Sequence, residues 1–142
     1  MPTTEFTGAL LKMNGDFSTD PSRKSVDMDE ASVGAFEQCV MRLAHVLKQA
    51  VATGGQPGIF SPFLLAAPVE GRFRKTLRES LLRALEEIGF ELSGATAKPL
   101  EIRLRPEWLA YADYELLCEG VPHISQELLT NHPQLSDFLK WL

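Results

Sequence analysis

The fold turns on the stretch "EGRFRKTLRESLLRALEEIGFELSGATAKPLEIRLR", Glu70 to Arg105. Its first half carries a helical period. Phe73, Leu77, Leu81, Ala84, Leu85 and Ile88 recur three and four apart and define one apolar stripe. Gly89 closes the pattern, so a helix is expected over 70–88. Beyond the glycine the period changes. Ile102 and Leu104 alternate with Glu101, Arg103 and Arg105, and "FELSG" and "LEIRLR" flank "ATAKP". That is the pattern of a half-buried hairpin over 90–105. A long helix that hands over to a hairpin places the chain in the α+β class.

The segments upstream fit that class. In "DMDE", Asp27 is the expected N-cap, with Glu30 three residues on as its capping-box partner. Val33, Phe36, Val40, Leu43, Leu47, Ala50 and Val51 then follow at helical spacing, and Gly54-Gly55 is a stop, which predicts a helix over 28–53. "QPGIFSPFLLAAPVEG" connects the two helices, and Ser61-Pro62 opens a short helix within it, with a buried strand as the alternative. Residues 1–26, dense in turn formers, are expected to be loosely ordered, and residues 27–142 to form one globular domain. Downstream, "PEWLAYADYELL" reads as a helix of poor periodicity, Ser125 caps "QELLTN", and Pro133 precedes "QLSDFLKWL". The expected architecture is two long amphipathic helices on a small antiparallel sheet, with short C-terminal helices.

Composition bounds the function. The chain has 142 residues, 44% apolar and 23% charged, in the range of an ordinary globular domain. The start is not that of a secretory leader, so Cys39 and Cys118 read as thiols in a reducing, cytoplasmic compartment. The longest apolar run, "FLLAAPV", is far too short to cross a bilayer. The net charge of −5 is unevenly spread: residues 71–106 carry eight bases and five acids, residues 107–142 one base and six acids. An acidic whole argues against non-specific nucleic-acid binding, while a basic middle leaves local anion binding open.

The helix over 70–88 is charged against its own dipole, basic early and acidic late, whereas acids are favoured at a helix N-terminus and bases at its C-terminus. Lys75, Glu79, Arg83 and Glu87, four apart with alternating sign, read as a ladder of ion pairs that accounts for part of this. Arg72, Arg74 and Arg78 remain, with Arg103, Arg105 and Lys98 from the hairpin. Arg72, Arg74, Arg78, Arg103 and Arg105 are thus the candidate contacts for an anion or a partner. The simpler expectation pairs them with the chain's own 19 acids.

Other motifs carry less. Cys118, His123 and His132 lack the short paired spacings of a zinc site, so no metal and no other cofactor is expected. Asp16, Ser18, Asp20 and Asp27 mimic a calcium loop, but Pro21 stands where the turn glycine belongs. No nucleophile motif or phosphate-binding loop occurs, and no catalytic residue is assigned. Leu135, Phe138, Leu139 and Leu142 share one helical face beside Trp141, so the C-terminal segment docks, on its own core or on another chain. The function expected first is that of a non-enzymatic intracellular interaction or assembly protein, binding a protein partner or itself as a homodimer. The second is nucleic-acid or anionic-ligand binding through residues 71–106, and the third a small enzyme of unknown chemistry.

Overall fold

The computed structural model of the chain describes residues 7, 9–22, 24–65 and 73–142. The elements run α1 (Glu30–Thr53), α2 (Ser61–Leu64), α3 (Arg74–Ile88), β1 (Phe90–Leu92), β2 (Ala95–Ala97), a 3-10 turn (Pro99–Glu101), α4 (Tyr111–Leu117), α5 (Gln126–Asn131) and α6 (Leu135–Trp141). The class is α+β: α1 and α3 pack on each other and α1 packs on β1 of a two-stranded antiparallel sheet.

Helix α1 begins two residues later than its sequence pattern implies. Asp29, not Asp27, is the N-cap, and its carboxylate accepts the Ser32 amide at 2.8 Å. Ser32 decides this register. It is fully buried, and its hydroxyl accepts the Ser18 amide at 2.9 Å, which ties the irregular N-terminal segment to the helix. Phe36, Val40, Ala44, Leu47, Ala50 and Val51 form the buried face. Val33, expected on that face, is exposed. Within the segment before α1, Ala9 is buried in the core, Leu11, Met13 and Phe17 pack against it, and Thr19 bridges to Val26. Residues 1–6 lie outside the described residues.

Helix α3 buries Leu77, Leu81, Ala84 and Leu85 against α1. Its expected first turn, with Glu70 and Arg72, lies outside the described residues. Of the expected ion ladder, Lys75–Glu79 closes at 3.7 Å; Arg83 has no ion pair among the described residues. The reversed charge at the other end is met from outside the helix. Lys48 of α1 donates to the Ile88 carbonyl at 2.9 Å and lies 3.2 Å from Glu91. A cation from a neighbouring helix thus sits at the negative end of α3.

The hairpin is shorter than its sequence pattern implies. Phe90 pairs with Ala97, Glu91 with Thr96 and Leu92 with Ala95. Ser93 and Gly94 form a two-residue turn with φ of 51° and 83°. Positive φ at both positions suits the right-handed twist of the strands and lets the turn close tightly. "LEIRLR" is therefore not the second strand: Pro99–Glu101 is a 3-10 turn, and Arg103 and Arg105 lie beyond the sheet.

The C-terminal helices seal the other side of the core. Phe138 of α6 packs between Phe60 and Phe63, with ring centroids 4.8 and 5.0 Å away. Leu135 is buried beside it, and Leu139, Trp141 and Leu142 are partly buried against the core. The Ser61 hydroxyl donates to the Gln134 side chain at 2.7 Å, fixing α6 on α2. His132, fully buried, donates from Nε2 to the Ala50 carbonyl at 2.9 Å; its Nδ1 has no partner among the described residues. No helix among the described residues is long and apolar enough to cross a membrane.

Candidate interaction surface

The segment that the fold presents outward most conspicuously is 105–121, "RPEWLAYADYELLCEGV". Its arrangement starts from Arg105. Nη1 of its guanidinium donates to the carbonyls of Leu109, Pro106 (3.3 Å) and Glu107 (3.4 Å), and the group stacks 4.2 Å over the ring of Tyr111. One cation thus binds the acceptors of an irregular turn and joins it to the start of α4. Wrapped this way, the turn leaves Trp108 83% exposed.

The inner face of α4 is held by Tyr114. Its ring is buried, and its hydroxyl donates to the Arg103 carbonyl at 2.6 Å while accepting the Ile124 amide at 3.2 Å. Burial raises its pKa above the usual tyrosine range. Cys118 is buried one turn further on. Leu116 lies opposite Tyr114 on the helix and Leu117 beside the inner face, and both are exposed, 71% and 73%. Val121 follows, also exposed. Residues 107–121 carry four acids, Glu107, Asp113, Glu115 and Glu119, and no base. Glu115 accepts the Gln126 amide at 3.0 Å, and the other three are exposed. A Trp and two Leu side chains thus stand in water within an acidic segment. Fully burying a side chain of this kind is worth about 1.5–3 kcal/mol, which the folded chain alone forgoes here.

The candidate basic residues do not form one cluster. Arg74, Lys75, Arg78 and Arg83 are exposed along α3. Arg103 is exposed, but its backbone pairs with the 122–123 segment, its amide donating to the Pro122 carbonyl at 2.8 Å. Arg105 is spent on the turn carbonyls and on Tyr111. Arg72 lies outside the described residues. The C-terminal set also divides: Leu135 and Phe138 are core residues, whereas Leu139, Trp141 and Leu142 stay partly accessible.

Sequence reasoning passed over Trp108, Leu116 and Leu117. The signal was present in the poor periodicity of "PEWLAYADYELL", where Tyr111 and Tyr114 compete with Leu116 and Leu117 for the inner face. The tyrosines win because the Tyr114 hydroxyl satisfies two backbone groups that a leucine would leave unpaired.

Two open depressions lie elsewhere on the surface of the described residues. An open depression of about 420 Å³ beside α1 is lined by Asn14, Gly34, Ala35, Cys39 and Arg42, and the Cys39 thiol donates to the Asn14 carbonyl at 3.3 Å. A polar one of about 370 Å³ lies between Gly54, Glu91, His123 and Glu127. Among the described residues no group of three His, Cys, Asp or Glu side chains is placed to hold a metal ion. No protein-family model, curated protein or solved structure matches the chain.

Proposed function

We propose that the chain is a non-enzymatic interaction or assembly protein that docks through the outer face of α4 and the turn before it. The observation that carries this reading is the exposure of Trp108, Leu116 and Leu117 outside a contiguous buried core. Large exposed apolar groups rimmed by polar ones mark protein contact sites. Tryptophan is among the side chains that dominate the energy of such contacts. The compartment proposed is intracellular, where Cys39 and Cys118, both unpaired, persist as thiols.

The test is affinity capture from native cell extract at moderate salt with three baits. The unaltered chain should retain a defined set of proteins after nuclease treatment, and so should Arg78→Gln/Arg83→Gln. Leu116→Ser/Leu117→Ser should lose that set. Equal retention by all three baits would refute the α4 reading.

A second reading rests on Arg78 and Arg83, exposed on α3 without an ion pair among the described residues. These groups, with Lys75, would serve nucleic acid or another polyanion. Such binding would be lost on nuclease treatment and would weaken steeply with salt as counterions are released. No RNA or DNA binding at about 50 mM salt, where phosphate contacts are strong, would remove it.

A further inference from the structure

Resting on the α4 reading above, we propose that the partner segment is a basic amphipathic helix: apolar side chains that cover Trp108, Leu116 and Leu117, flanked by Lys or Arg that meet Glu107, Asp113 and Glu119. Charge selects this occupant. The apolar residues lie in a segment with four acids and no base, residues 107–121. The nearest cations in sequence are Arg103 and Arg105. The Arg105 guanidinium is already bound to three carbonyls and stacked on Tyr111, which leaves Arg103 as the one exposed base against three exposed acids.

A second copy laid α4 on α4 would set these acids against themselves, and like charges face to face penalise an interface. Nucleic acid and anionic lipid surfaces are repelled for the same reason. A partner both apolar and basic gains on both counts. Its apolar face covers the leucines and the indole, and its cations approach the exposed carboxylates, where they speed encounter. Trp108, at 83% exposure the most accessible large apolar side chain described, is the natural anchor and also an optical reporter.

The probe is a short peptide of Leu and Lys at helical spacing, added to the full chain, with a Leu and Glu peptide of the same spacing as its counterpart. The Lys peptide should shift the tryptophan emission to the blue, saturate at one per chain and bind more weakly as salt rises. The shift should vanish in Trp108→Phe, which keeps Trp141. Leu116→Ser/Leu117→Ser should bind about tenfold or more weakly, the scale of losing anchor contacts. Asp113→Asn/Glu119→Gln should bind several-fold more weakly and with a flatter salt dependence. Equal binding of the Glu peptide, or undiminished binding by the double Leu variant, would overturn the proposal. So would sedimentation of the unaltered chain as a dimer that Leu116→Ser/Leu117→Ser dissolves, because a second copy would then cover the face. Capture of partners lost by the Leu variant, with no binding of the Lys peptide, would sink the basic helix alone and keep the α4 reading.

Discussion

At the scale of the residue, Tyr114 joins three parts of the chain through one oxygen. Its hydroxyl donates to the Arg103 carbonyl and accepts the buried Ile124 amide. Tyr114→Phe keeps the ring and strands both backbone groups, so it should cost about 1–3 kcal/mol in urea unfolding at neutral pH. The pH dependence has a definite sign. Burial raises the pKa of Tyr114 in the folded chain, so the unfolded chain gives up this proton first. Its contribution is complete below the unfolded value near pH 10 and is lost as pH rises through the higher folded value. The stability gap between the two proteins should therefore narrow above about pH 10. A gap that holds or widens there would contradict the upward shift that burial gives Tyr114. Nothing in the residue order announces this role, because Arg103 and Ile124 reach Tyr114 only through the fold. Arg105 is similar: in sequence it extends a basic alternation, in space it binds its own turn.

At the scale of the element, α1 and α3 were legible because apolar spacing reports directly on which face is buried. Their ends were less so. The α1 cap moved from Asp27 to Asp29 because Ser32 and Ser18, distant in sequence, pair in the fold. The hairpin is shorter than its alternation implies because Ser93-Gly94 alone suffices as a turn, which leaves "LEIRLR" outside the sheet. The join between α3 and β1 yields a sharp comparison. Gly89 sits at φ 61°, and a Cβ there would come within 2.5 Å of the Thr96 methyl and 3.2 Å of the Ala97 carbonyl. Gly89→Ala should lose at least about 1–3 kcal/mol from the backbone conformation alone. Gly34, within α1, has nothing within 4 Å of the same position. There Gly34→Ala should gain about 0.5–1 kcal/mol through helix propensity. Thermal melts of the two variants should move in opposite directions, and a shared direction would refute the comparison.

At the scale of the whole molecule, one contiguous core runs from Ala9 to Phe138, and α6 is its last layer. Removing residues 134–142 takes Leu135 and Phe138 from that core and uncovers Phe60 and Phe63. Each buried side chain of this size is worth about 1.5–3 kcal/mol. The loss is large against a typical stability of about 5–15 kcal/mol. The shortened chain should melt early and aggregate, read by circular dichroism and light scattering. A folded, monomeric truncation would show that α6 is dispensable to the core. The α+β class followed from local periods alone. The candidate surface did not, because exposure of Trp108, Leu116 and Leu117 depends on what the tyrosines secure inside.

The contact between His132 and Ala50 joins residues 82 positions apart, and α6 follows it in the chain. A ribosome makes a chain from its N-terminus. During synthesis α1, α2 and α3 therefore emerge before the residues that cover their aromatic side exist. Phe60 and Phe63 stay uncovered on the nascent chain until α6 clears the exit tunnel. Such transient apolar surface is what chaperones bind. The time needed to make the chain from Phe63 to the end of α6 is thus the shortest time for which that aromatic side stays uncovered.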